Sequence, residues 1–140
     1  HELRPHLRVA EPRLLLGDEM GLGKSVQAIA ALRILLHRRE IERALVVVPA
    51  SLLEQWRREL RKWRPELVVM PVAGAARERH WQWRYRAHVT LVSYDTLRAD
   101  AGLRAGPLRQ SWGAVVLDEA QRIKNAGSEI ATTPEIAIVS

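Results

Sequence analysis

The chain has 140 residues, 22 Lys and Arg against 16 Asp and Glu for a net charge of +6, 47% apolar residues and no Cys. That length suits one compact domain burying about two-thirds of its unfolded surface, and the apolar fraction excludes a disordered chain. The lack of Cys excludes disulfides, thiolate chemistry and Cys-based zinc sites; no apolar run nears the ~20 residues of a membrane span. The five His, at 1, 6, 37, 80 and 88, lack metal-ligand spacing. The first residue is His and no signal-peptide pattern follows, so the chain reads as a piece of something longer.

In chain order, short branched apolar runs at Arg13–Leu16, Ala44–Val48, Leu67–Val69, Val89–Val92 and Ala114–Leu117 predict strands buried on both faces. Helix-like stretches separate them, which predicts crossover units and a mainly parallel sheet between two helical layers. Val26–His37 is a run of good helix formers, with Val26, Ile29, Ala30 and Ile34 among its apolar positions. Ser51 and Glu54 have the spacing of a capping box, and Leu52, Leu53, Trp56, Leu60 and Trp63 then recur at helical spacing up to Pro65. Trp56 and Trp63 are expected as core anchors. His80–Arg86 alternates like a strand, but the helix formers before it favour a helix over Ala76–Arg84. Gly102, Gly106 and Pro107 mark a loop. The charge is localised: Arg57, Arg58, Arg61, Lys62, Arg64, Arg77, Arg79, Arg84 and Arg86 face only Glu59, Glu66 and Glu78, so the window Trp56–Arg86 carries the whole net charge and four of the five Trp. Such a window is either a patch for a polyanion or a solvated helix face with Trp on its buried side.

Two segments carry chemistry. Arg13–Leu16 runs into Gly17-Asp18-Glu19-Met20-Gly21-Leu22-Gly23-Lys24-Ser25 and then a helix, the context a phosphate-binding loop requires. Gly21 and Gly23 let backbone N–H groups approach phosphate at the positive end of that helix. Lys24 would reach the β- and γ-phosphates, and Ser25 would ligate Mg²⁺. Asp18 stands where the general G-x-x-x-x-G-K-[ST] pattern has Gly, and a dinucleotide fingerprint fails for want of a third Gly. The second segment is the strand Ala114–Leu117 ending in Asp118 and Glu119. Two carboxylates there serve either as a strand-to-helix cap or as the ion-holding (Asp118) and water-activating (Glu119) groups of a Mg²⁺–nucleotide site.

DEMGLGKS, VVVPASLLEQWRREL, VTLVSYDTLR and VVLDEAQRIKN, in that order, resemble the motifs of the SWI/SNF-type DNA translocases of helicase superfamily two, the bacterial RNA-polymerase-associated members in particular. The resemblance spans Arg13 to Thr132, and Asp is usual in that family where Asp18 stands. The RIKN after the DEAQ box sets the chain apart from DEAD and DEAH RNA helicases. It implies that residues 1–140 form a single RecA-like ATPase lobe, the N-terminal one of two, with the C-terminal lobe and its arginine finger missing. It further implies ATP and Mg²⁺ as cofactors, with Asp18, Glu19, Met20, Gly21, Leu22, Gly23, Lys24 and Ser25 as the nucleotide loop and Ser25 and Asp118 on the metal. Lys24, Glu119 and Gln121 would be catalytic, Gln121 coupling nucleotide state to DNA. Ser51, Ser93, Tyr94 and Thr96 would track the backbone of double-stranded DNA, although Ser51 and Ser93 are equally placed to cap helices. The family's adenine-reading Gln follows an L-R-P-Y-like start; here Leu3-Arg4-Pro5-His6 is followed by Leu7.

The expected function is an ATP-driven translocase that remodels a DNA-bound complex, RNA polymerase being one example. The alternative is a nucleotide-dependent switch that grips DNA or protein without turnover of its own. The expected location is cytoplasmic and nucleoid-associated in a prokaryote, nuclear in a eukaryote; 19 Arg to 3 Lys points to a GC-rich prokaryote.

Overall fold

A computed structural model describes residues 13–16, 21–104, 106–118 and 136–139. The elements are β1 (Arg13–Leu16), α1 (Gly21–His37), β2 (Ala44–Val48), α2 (Leu53–Arg61), β3 (Val69–Pro71), α3 (Ala76–Arg84), β4 (Val89–Ser93), α4 (Tyr94–Ala99), β5 (Ala114–Leu117) and β6 (Ile136–Val139). The strands form one sheet in the order β1-β6-β5-β2-β4-β3, and every pairing is parallel.

Side chains alternate between the two faces of the sheet. Ala44, Val46 and Val48 of β2 join Val89, Leu91, Ala114 and Val116 beneath α1 and α2, which contribute Ile29, Leu32, Leu35, Trp56 and Leu60. Leu45 and Val47 join Val92, Val115 and Leu117 on the other face, under Trp83 of α3 and Tyr94 and Leu97 of α4. The three-layer α/β arrangement is therefore the expected one. Handedness dictates it: the first two crossovers step outward across the sheet over one face, and the return through α3 and α4 uses the other.

Several local expectations are corrected. The second half of the expected phosphate loop is already helical, since α1 starts at Gly21 and not Val26. The buried side of α1 is Ala28, Ile29, Leu32 and Leu35, while Val26 and Ile34 are about half exposed. The helix is apolar on most sides, so periodicity could not choose a face. The α1 terminus closes with Arg39 in the left-handed region (φ 61°), Glu40 N–H bonding to Leu35 O at 3.0 Å and Arg39 N–H to Leu36 O at 3.1 Å.

Ser51 makes no capping box: it lies exposed in a 3-10 turn, Ala50–Leu52, and no side chain caps α2. The helix ends at Arg61 and relaxes into turns before Pro65, which disfavours helical geometry at Arg64. Trp56 is fully buried, but Trp63 is no core anchor; it is 37% exposed and packs under the Arg33 guanidinium, 3.6 Å from the ring centroid. The third strand runs Val69–Pro71, two residues later than the apolar run suggested, because Leu67 enters the core from a turn whose N–H bonds Trp63 O. The helix over Ala76–Arg84 forms as expected. Sequence reading missed β6, a short Ala-interrupted segment that pairs between β1 and β5.

Candidate nucleotide and nucleic-acid site

Because all strands are parallel, their C-terminal ends lie along one edge of the sheet, where open α/β sheets bind ligands. The register puts Leu16, Val139, Leu117, Val47 and Val92 in one row across it. One residue beyond that row lie Asp118 on β5, Val48 on β2 and Ser93 on β4. β6 alone separates β1 from β5, so their ends are about 10 Å apart at the usual strand spacing. A triphosphate chain can bridge such a gap. Gly21, Leu22, Gly23, Lys24 and Ser25 occupy the first turns of α1, which leaves from the β1 end. Asp18, Glu19, Met20, Glu119 and Gln121 lie outside the described residues.

Asp118 is buried. Its N–H bonds Val47 O at 2.9 Å, its carbonyl accepts the Tyr94 hydroxyl, and its Oδ2 accepts the Trp56 indole N–H at 2.9 Å. Mg²⁺ takes hard oxygen donors and often only one or two carboxylates, the rest coming from phosphates and water. A single buried carboxylate fits that mode, and no cluster of three or more His, Asp or Glu that could form an all-protein cage occurs among the described residues.

The four residues expected against DNA are differently placed. Ser51 is exposed in the turn after β2. Ser93 is buried; its Oγ accepts the Thr96 N–H at 3.2 Å and caps α4, while Thr96 is half-buried. Tyr94 turns inward, its hydroxyl on the Asp118 carbonyl. The basic residues are spread along the full height of the sheet. Arg57 and Arg58 sit midway along α2 and Arg77 at the start of α3, nearer the ligand edge than Arg84 and Arg86, which lead into β4 at the opposite edge. Arg79 is drawn inward onto Asp100, at 2.7 Å. Two Trp of the window, Trp56 and Trp83, are buried, and Trp63 and Trp81 are exposed, so it divides between the two expected characters.

The inward bonds of Trp56 and Tyr94 were missed in the sequence. The available signal was general: a buried Trp N–H or Tyr O–H needs an acceptor. Nothing in the spacing named Asp118 as that acceptor.

A parallel sheet with helices on both faces, a helix rising from the β1 end and a buried carboxylate ending β5 define a RecA-like lobe. The family model of the SNF2-related domain matches residues 7–137. The chain belongs to that family. It is 34% identical over 128 residues to the chromatin remodeling factor mit1 of Schizosaccharomyces pombe, and 34% over 124 residues to the nuclear protein STH1/NPS1 of Saccharomyces cerevisiae. Those matches cover 83% and 85% of this chain and 9% of each relative, so the chain spans about a tenth of their length. The fold is similar to the SWI2/SNF2 ATPase core of Sulfolobus solfataricus solved in complex with double-stranded DNA, with a TM-score of 0.72 and 27% identity over 99% of this chain and 29% of that one.

Proposed function

We propose that this chain is the nucleotide-binding lobe of an ATP-driven translocase on double-stranded DNA, the whole protein remodelling DNA-bound complexes. The observation that carries this reading is the row of strand ends: it gathers the α1 N-terminus, Asp118 and the turns after β2 and β4 on one edge. Lys24 binds the β- and γ-phosphates, Ser25 and Asp118 hold the ion, Glu119 orients the attacking water, and Gln121 passes nucleotide state to the DNA side. Bound Mg²⁺–ATP supplies the transferable γ-phosphoryl group and neutralises its charge. Of the four residues expected against DNA, Ser51 and Thr96 are the hydroxyls for phosphate contact, while Ser93 and Tyr94, both buried, support the turn after β4 from within. Such contacts read no sequence. A second RecA-like lobe with an arginine finger completes the site in the full-length protein; the protein acts where its DNA is, in the nucleus or the nucleoid.

Duplex binding at low salt tests the reading. The logarithm of the affinity should fall with the logarithm of salt at about −0.9 per phosphate engaged, whatever the sequence. Arg57→Glu should weaken binding more than Arg86→Glu, because Arg57, midway along α2, is nearer the ligand edge than Arg86. A flat salt dependence, or equal losses from the two reversals, would remove backbone tracking at this edge. The 140 residues alone should not turn over ATP at a useful rate, since a finger is worth about 10³–10⁵.

A further inference from the structure

Asp118 is held in three ways by three segments. Its N–H is fixed by Val47 of β2, its carbonyl by the Tyr94 hydroxyl and its carboxylate by the Trp56 indole N–H. Trp56 lies five residues beyond Ser51, in the first turns of α2, and Tyr94 directly follows Ser93. Trp56, Tyr94 and Asp118 are all at least nine-tenths buried. We propose that Trp56 and Tyr94 are positioning residues that tie the turns after β2 and β4 to Asp118 at the end of β5, Trp56 through its carboxylate and Tyr94 through its backbone carbonyl. This rests on the nucleotide-site reading above and adds how the DNA-facing turns and the ion-holding group sense one another.

An N–H bond to an ionised carboxylate is among the stronger hydrogen bonds. Water cannot take over as acceptor inside the core, so turning the carboxylate away would strand the Trp56 N–H, while the Tyr94 hydroxyl fixes the backbone from which the carboxylate projects. The indole is carried by a helix that starts just after Ser51, and the packed core transmits displacement without slack. A shift of the Ala50–Leu52 turn therefore moves the donor on Oδ2, and a shift of Ser93 moves the donor on the Asp118 carbonyl. Coupling is reciprocal: whatever settles against Asp118 also biases the two turns.

The test uses the whole chain and a fluorescent N-methylanthraniloyl-ADP, titrated with Mg²⁺ in the presence and absence of a short DNA duplex, alongside thermal unfolding. Tyr94→Phe deletes one oxygen and keeps the ring; Trp56→Phe deletes the indole N–H. Both variants should bind the nucleotide in EDTA as the wild type does. Their Mg²⁺ midpoints should rise about tenfold, the usual cost of losing a group that orients a metal ligand. The shift in Mg²⁺ midpoint that duplex DNA produces in the wild type should be lost in both. A lowered unfolding temperature with an unchanged Mg²⁺ midpoint and an intact DNA shift would overturn the proposal, leaving the bonds purely structural. A wild type with Mg²⁺-dependent nucleotide binding but no DNA shift would overturn the coupling. No Mg²⁺-dependent binding at all would remove the site reading and this inference with it. Should Trp56→Phe fail to fold, Tyr94→Phe decides alone.

Discussion

Asp100 sits beneath α3 with three donors on its two oxygens: Arg79 Nε at 2.7 Å and Trp83 Nε1 at 2.8 Å on Oδ2, and Arg79 Nη2 at 2.9 Å on Oδ1. The Arg79 bonds above all, with the Trp83 bond adding, hold its carboxyl below the usual carboxylate value although burial opposes them. A depressed carboxyl contributes stability that is fully present above its unfolded pKa near ~3.9 and is lost as pH falls through the folded value. Urea midpoints should therefore be flat from neutrality down to about pH 5 and fall below it. Asp100→Asn should cost about 3 kcal/mol at neutral pH, by uncoupling a buried pair, and should flatten the acid limb; an unchanged limb would remove Asp100 as its source. Glu66 is also held low by Arg33, but this exposed pair adds little. Arg43 is the opposite case. It is buried over the Trp112 ring at 4.3 Å, Nε and Nη2 have no hydrogen-bond partner among the described residues, and burial and then Arg86 lower its pKa. Arg43→Met should leave the protein as stable or gain about 1–2 kcal/mol in urea titrations, since unmade buried hydrogen bonds cost that much. A clear loss would mean that the stacking on Trp112 outweighs the orphaned donors.

At the scale of elements, α1 gives the clearest test of packing. Leu32 is fully buried against the sheet and Ile34 is about half exposed. Leu32→Ala should cost about 2–5 kcal/mol, whereas Ile34→Lys should stay within about 0.5 kcal/mol, both read from urea midpoints. Comparable losses would mean that the outer face of α1 is covered. The same helix shows what was legible. Its existence followed from composition, but its face did not, because apolar residues lie on most of its sides. Strands β2 and β5 announced themselves as uninterrupted Ala, Val and Leu runs, since burial on both faces leaves no polar position to blur them, and β4 did so as Val and Leu around a buried Thr90. β6 has only four residues and depends on β1 and β5 for its definition. Ser93 was legible as a cap, while Ser51 was not placed correctly, because the choice of a 3-10 turn over a capping box is made by the packing of Leu52 and Leu53 against the core. The phosphate loop and Asp118 were legible as motifs; the bonds from Trp56 and Tyr94 connect residues 62 and 24 positions apart, and no local pattern encodes them.

For the whole molecule, one topological fact organises the rest. A sheet of parallel strands has a single ligand edge, and this sheet's order puts β6 between β1 and β5 and puts β2 between β5 and β4. The β1–α1 junction thus occupies one half of the edge and the turns after β2 and β4 the other, with Asp118 where the halves meet. The charge window follows no such division, running from Arg77 near the ligand edge, through Arg57 midway along α2, to Arg86 at the opposite edge. Calorimetric titration of Mg²⁺–ATP into the wild-type chain and Lys24→Ala tests the central claim, that the β1–α1 junction binds phosphate. The wild type should bind in a Mg²⁺-dependent manner and the variant should lose about 1.5–3 kcal/mol, the worth of a charged hydrogen bond. Equal affinity in the two proteins would contradict it.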